Sequence, residues 1–277
     1  MVAANAGGPY CGPVKAVVLD WAGTAVDYGC MGPAAVFVDV FKAFGIRVDN
    51  REARRFMGLA KKDHIRAMCE LPGVVEQWRA AYGRVPGESV VEALYAETEP
   101  LMVAAIARRA APIPGLLDFV AAMRARRIKI GACTGYTAPM SAVLVPEARK
   151  RGYAPDATVC ASDVPAGRPH PWMCYLNALK LEVYPFEAMV KIGDTMSDIQ
   201  EGLNAGMWTV GLTQSGNELG LSEEEVTALP EEVLQGRLTA IEDRYRETGA
   251  HYVARGIWEV LPIIDAVEAR LSRGERP

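Results

Sequence analysis

The chain has 277 residues, of which 50% are hydrophobic and 23% charged, an ordinary balance for a globular protein with room for one large domain or two smaller ones. A formal net charge of -4 leaves no basic footprint for nucleic acid, and no apolar run approaches the length of a membrane span. The 6 cysteines lack a CxxC pair or a His cluster that would point to zinc, so reduced thiols in a cytoplasmic setting are expected.

Residues 1–13 are rich in Gly and Ala, lack the charged and apolar regions of a signal peptide, and are expected to form a loose tail. Residues 14–19 are mostly apolar and run directly into Asp20, after which Gly23-Thr24 break the pattern. That predicts a buried strand with a carboxylate at its carboxyl end, the edge of an α/β sheet where ligands bind. Residues 29–33 read as a linker, and from there to residue 109 nothing alternates like a strand. Ala34, Phe37, Val38, Phe41 and Phe44 recur at helical spacing up to Gly45. A second helix can start at Asp49 or Asn50, a third covers 61–70 and stops at Leu71-Pro-Gly73, and a fourth covers 74–82. The long segment 88–109 carries Pro100, which should kink or divide it.

From Ile113-Pro-Gly115 onward helices and strands alternate. Predicted helices at 116–127, 140–151, from Trp172, and at 197–205 lead to predicted strands at 128–133, 157–161, 189–192 and 208–212. The tail adds helices near 222–229 and 231–248, a short strand at 251–254 and a final helix near 257–271. Repeated units of this length imply a parallel sheet with right-handed crossovers. The expected fold class is α/β: a doubly wound, Rossmann-like parallel-sheet core, residues 1–27 and 107–277, interrupted after its first strand by an all-helical cap, residues 28–106.

Three further strand ends finish in polar residues. Strand 128–133 ends in Thr134-Gly135-Tyr136, the loop after residue 161 holds Gly167-Arg168-Pro169, and strand 189–192 ends in Gly193-Asp-Thr-Met-Ser-Asp198. Taken singly, a capping hydroxyl, a surface arginine and N-cap acids account for them better. All four loops nevertheless leave the same edge of one parallel sheet, so Asp20, Thr134, Arg168 and Asp194 are expected to converge.

In order, Asp20-Trp-Ala-Gly-Thr24, Thr134, Arg168 and the run Gly193-Asp-Thr195 to Asp198 resemble the four motifs of the haloacid dehalogenase (HAD) superfamily of phosphotransferases. The resemblance covers essentially the whole chain, including a helical cap after the first motif. It implies that Asp20 attacks phosphorus and that Thr134, the backbone of Gly135 and Arg168 hold the phosphoryl oxygens. It further implies Mg2+ held by Asp20, Asp194 and the Ala22 carbonyl, with Asp198 behind the metal carboxylate. One position departs from the pattern. Phosphatases of the superfamily mostly carry a second Asp two residues after the first, which protonates the leaving alkoxide, and here that residue is Ala22. A positioned general acid contributes roughly 10²–10⁴-fold, so its absence argues against an oxygen leaving group.

The predicted cap offers the complement. Met57-Gly-Leu-Ala-Lys-Lys-Asp-His64, with Val164-Pro-Ala-Gly-Arg-Pro-His-Pro-Trp172, resembles the phosphonoacetaldehyde hydrolase branch, which uses a cap lysine as Schiff-base former. The resemblance puts that role on Lys61, proton transfer on His64, and Met57, Tyr136 and Cys30 near the substrate. If the segment is helical, Met57, Lys61, His64 and Met68 share a face and Lys62 points about 100° away. The chemistry is coherent: a carbanion leaving phosphorus needs an electron sink, and a lysine iminium beside it supplies one. The expected activity is therefore hydrolysis of the carbon-phosphorus bond of phosphonoacetaldehyde, a small-molecule substrate, by a Mg2+-dependent enzyme. The alternatives are a phosphomonoesterase or phosphomutase of the same superfamily, and a non-enzymatic phosphoacceptor or scaffold. The resemblance also implies a homodimer through the cap, and Phe37, Phe41 and Phe44 suit either that interface or the cap's own core.

Overall fold

The computed structural model describes residues 8–277, so the part of the predicted tail formed by residues 1–7 lies outside the described residues. Six strands form one parallel sheet: β1 (Ala16–Leu19), β2 (Lys129–Thr134), β3 (Ala157–Cys160), β4 (Met189–Gly193), β5 (Trp208–Leu212) and β6 (Tyr252–Ala254). Their spatial order is β3-β2-β1-β4-β5-β6, with every neighbouring pair parallel. Strand order reverses at β1, so the crevice beyond its carboxyl end is the position where doubly wound sheets bind ligands. β1, β4 and β5 are buried along their whole length, because helices cover both faces, and this is why they read as mostly apolar runs, Lys191 and Thr209 apart.

Between β1 and β2 the chain makes five helices: α1 (Met31–Ala43), α2 (Asn50–Arg54), α3 (Lys61–Cys69), α4 (Pro72–Tyr82) and α5 (Glu88–Arg108). Core helices follow as α6 (Leu116–Ala125), α7 (Ala138–Lys150), α8 (Trp172–Leu181), α9 (Met196–Asn204), α10 (Glu223–Ala228), α11 (Glu231–Thr248) and α12 (Val260–Ser272). A single apolar cluster runs from the sheet through Phe37, Phe41, Ile65 and Leu94 of the helical insert. Phe37 and Phe41 are fully buried in it, so they serve the insert's own core and leave no free face for a partner.

Three local expectations are corrected. The predicted linker at 29–33 is helical from Met31, because Pro33 lies in the first turn, where a missing N–H costs nothing. Of the two outcomes expected at Pro100, division does not occur: α5 runs unbroken to Arg108. Burial of Leu94, Thr98, Met102 and Ile106 along one side, with the Thr98 hydroxyl donating to the Leu94 carbonyl at 2.7 Å, outweighs the one ladder bond that proline removes. Met57 is not on the helix of Lys61: Gly58 adopts φ +88 and α3 begins at Lys61. Met57 therefore belongs to the preceding turn and not to the face shared by Lys61, His64 and Met68, all of which are buried.

Candidate active site

Strand register brings the core residues together. Leu19 pairs with Ala132 on one side and Ile192 on the other, and the Asp20 amide donates to the Ile192 carbonyl at 2.9 Å. One to two residues beyond this rung, Asp20, Thr134 and Asp194 emerge at the same sheet edge. A narrow pocket opens there, lined by Asp20, Ala22, Thr134, Gly135, Tyr136 and Arg168 from the core and by Cys30, Met57 and Lys61 from the insert. The Thr134 hydroxyl accepts from the Tyr136 amide at 3.1 Å, which leaves its proton free for an acceptor in the pocket.

Arg168 is buried and divided among acids. Its Nη2 donates to Asp20 Oδ1 at 2.7 Å and lies 3.2 Å from Asp198 Oδ1, while Nε donates to Glu201 Oε2 at 2.8 Å. Glu201 thereby fixes the guanidinium plane so that Nη2 faces Asp20. Lys191, fully buried in β4, bonds Asp198 Oδ1 at 2.5 Å. Burial alone would raise the Asp198 carboxyl, but Arg168 and Lys191 outweigh it and hold it below the usual carboxylate range. Asp198 Oδ2 also accepts from the Thr195 hydroxyl at 2.6 Å and from the Thr195 amide at 3.2 Å, while the Thr195 hydroxyl accepts from the Asp198 amide at 3.2 Å; the two amide contacts form a capping box at the start of α9. Its oxygens are committed to these partners.

Asp20, Asp194 and Asp198 offer carboxylate oxygens within 4.8 Å of one another. With Asp198 neutralised, Asp20 and Asp194 remain. Burial, then the charge of Asp20, push Asp194 well above the usual carboxylate range, and burial raises Asp20 despite Arg168. Four buried carboxylates (Asp20, Asp194, Asp198, Glu201) thus face two buried cations (Arg168, Lys191). Hard oxygen donors with a deficit of positive charge fit a divalent cation. The Ala22 carbonyl, which accepts from the Cys30 thiol at 3.0 Å, stands beside them. Burial, then Asp194, push the Cys30 thiol far above its ordinary value, so it is a neutral donor and not a nucleophile.

Lys61 reaches the same pocket from the first turn of α3 and is 3% exposed. Its amine lies 4.9 Å from the Tyr136 ring centroid and 5.8 Å from that of Phe37. Burial lowers its pKa to about 8, against opposing pulls from Cys30 and Asp20. Lys62, by contrast, is 38% exposed along its side chain and is bonded to Glu92. His64 packs at a tilt of 31° against Phe37, 4.0 Å between centroids, and its Nε2 is 2.8 Å from the Ala53 carbonyl. A carbonyl only accepts, so Nε2 carries the proton and Nδ1, buried without a partner, keeps a free lone pair. Burial, then the Lys61 charge, hold His64 well below its ordinary pKa, so the ring is neutral.

The turn before α3 closes over the pocket. A Cβ on Gly135 would stand 2.4 Å from the Leu59 carbonyl oxygen, and one on Gly58 would stand 2.3 Å from the Ser197 hydroxyl. Arg168 Nη1 donates to the Gly58 carbonyl at 3.3 Å.

A model of the haloacid dehalogenase-like hydrolases matches residues 14–206. The chain belongs to the haloacid dehalogenase-like hydrolases. A protein of Nitratidesulfovibrio vulgaris named phosphonoacetaldehyde hydrolase is 55% identical over 268 residues, 97% of this chain and 96% of its own. One of the same name from Bacillus cytotoxicus is 47% identical over 255 residues, 92% of this chain and 97% of its own. The crystal structure of a phosphonoacetaldehyde hydrolase-like protein from Oleispira antarctica superposes with a TM-score of 0.96 at 40% identity, covering 100% of both chains.

All twelve residues singled out from the sequence lie in or beside this site. Sequence reasoning missed Lys191, Glu201, Thr24 and Asn217. Lys191 carried a signal, a lone charge inside an otherwise apolar strand. The Thr24 hydroxyl donates to Asp194 Oδ1 at 2.6 Å and the Asn217 amide donates to Asp194 Oδ2 at 2.8 Å, contacts made across 170 and 23 residues of sequence.

Proposed function

We propose that the protein hydrolyses the carbon-phosphorus bond of phosphonoacetaldehyde to acetaldehyde and phosphate, with Mg2+ as cofactor. The observation that carries this reading is a buried lysine, Lys61, in one pocket with Asp20, its pKa lowered by that burial, and Ala22 where an ester-cleaving enzyme needs an acid. Residues 28–106 act as a cap over a core of 1–27 and 107–277.

In this reading Thr134, the Gly135 backbone and Arg168 bind the phosphonate oxygens, and the aldehyde faces the cap. The neutral Lys61 amine adds to the aldehyde carbon, and loss of water gives an iminium. His64 Nδ1 takes up and returns the protons of that step, while Met57 and Tyr136 keep the amine dry. An Asp20 oxygen then attacks phosphorus in line. The phosphorus-carbon bond breaks, its electron pair becomes the carbon-carbon double bond and the iminium π pair moves onto nitrogen, giving an aspartyl phosphate and an enamine. One water hydrolyses the aspartyl phosphate. The enamine is protonated on carbon, and a second water releases acetaldehyde and regenerates Lys61. Magnesium, held by Asp20, Asp194 and the Ala22 carbonyl, would offset the charge of the phosphonate that the Asp20 carboxylate must approach.

Steady-state assay with phosphonoacetaldehyde against simple phosphate esters in Mg2+ tests the reading; ester turnover without phosphonate turnover would refute it. The pH profile gives a second check. Because the Lys61 pKa is lowered to about 8 and only the neutral amine attacks, kcat/KM should rise with pH and reach half its maximum near 8. A midpoint near the ordinary lysine value would mean that the amine is not desolvated as described.

A cytoplasmic setting belongs to the same reading, supported by six cysteines that are all free thiols. No described helix is long and apolar enough to cross a membrane. A homodimer through the cap would use the exposed Tyr82, Val85 and Leu101, and light scattering after size exclusion measures it.

A further inference from the structure

We propose that Arg54 and Asn217 form a clamp by which the position of the cap sets the metal carboxylate Asp194; the inference rests on the function proposed above. Asp194 is held from two sides. Thr24, on the core loop after β1, binds Oδ1, and the backbone amide of Asn217 binds Oδ2. The first contact is made within the core whatever the cap does. The second depends on where the loop after β5 places its tip.

That loop is tied to the sheet at its root, where the Thr213 amide donates to the Ala254 carbonyl at 2.9 Å and the Gln214 amide to the Arg255 carbonyl at 2.7 Å. Its tip is tied to α2, in the cap. Arg54 Nη1 donates to Asn217 Oδ1 at 3.3 Å, and Asn217 Nδ2 donates back to the Arg54 carbonyl at 3.1 Å. The same Nη1 donates to the Gly29 carbonyl at 2.6 Å, on the segment that leads into the cap. Asn217 is 5% exposed, so with the cap in place its side-chain amide is committed to these partners and not to solvent.

Two glycines let the loop touch both ends. A Cβ on Gly216 would stand 2.3 Å from Asp194 Cβ, and one on Gly220, at φ +66, would stand 2.9 Å from Arg54 Nε. The loop is thus pressed against the carboxylate on one side and against the cap arginine on the other. A cap that swings away takes Arg54 with it and releases the tip that carries the Asn217 amide. Linkage then requires that closure strengthen metal binding and that metal strengthen closure by the same factor. Arg54 and Asn217 are positioning residues, since neither lines the substrate pocket.

The test is calorimetric titration of the full chain with Mg2+, without substrate, for the wild type, Arg54→Ala, Asn217→Ala and the double variant. Each single change should weaken Mg2+ by about tenfold or more, as loss of a group that orients a ligand does. The double variant should be no weaker than the weaker single, because both remove one clamp. Arg54→Lys, which keeps a donor for Gly29 and Asn217, should recover part of the loss. Hydrogen exchange on the wild type gives a measurement independent of whether the variants fold. Mg2+ should protect residues 213–221 and α2 together. Wild-type Mg2+ affinity in both folded single variants, or protection of 213–221 without α2, would overturn the clamp and leave the proposed reaction intact. A wild type that binds no Mg2+ would overturn the reaction first, and the clamp with it.

Discussion

Lys61→Arg is expected to abolish turnover of phosphonoacetaldehyde, lowering kcat by at least about 10⁴-fold, the scale on which loss of a covalent participant acts. Arginine keeps the charge and much of the length, but its guanidinium does not deprotonate at accessible pH and does not form the imine. Borohydride added during turnover should reduce the wild-type intermediate and leave an adduct on Lys61, found by peptide mapping, and the variant should give none. The neighbouring amine is no substitute, because Lys62 points out of the pocket toward Glu88 and Glu92. Near-normal activity, or an adduct on another lysine, would refute the assignment.

Asp20→Asn separates the two covalent steps. An amide does not attack phosphorus, so phosphate release should fall by a comparable factor while the aldehyde still meets Lys61. The mass of the borohydride adduct then reports which bond was broken. Wild-type enzyme should yield an ethyl group on Lys61, because the phosphorus has left, whereas Asp20→Asn should yield the phosphonoethyl group. Absence of any adduct in the variant would mean that Asp20 is needed for imine formation.

Much of this arrangement was legible in the sequence because it depends on strand ends. A parallel sheet delivers every strand terminus to one edge, so an apolar run followed by Asp20, Thr134 or Asp194 locates the side chain without knowledge of its neighbours. The insert was legible as helices for a similar reason, since a period of 3.6 residues marks a buried side. Periodicity does not say what that side meets, which is why Phe37 and Phe41 suited a partner surface and a private core equally. It also fails where a turn interrupts it: Gly58, at a left-handed φ, ends the register that would have joined Met57 to Lys61. Asn217 and Glu201 were not legible at all. Their roles come from contacts with Asp194, Arg54 and Arg168, and nothing in their local sequence records those partners.

The closeness of Gly58 and Gly135 constrains how such a chain can drift. The two positions lie 77 residues apart by their numbering, on opposite sides of the closing seam, and neither has room for a methyl group. A lineage that keeps this seam must keep both glycines, and one that acquires a side chain at either must widen the seam and admit solvent to Lys61. The two contacts are separate, Gly135 against the Leu59 carbonyl and Gly58 against Ser197 and Thr195, so each glycine is held on its own account and a side chain at either one is enough to part the seam.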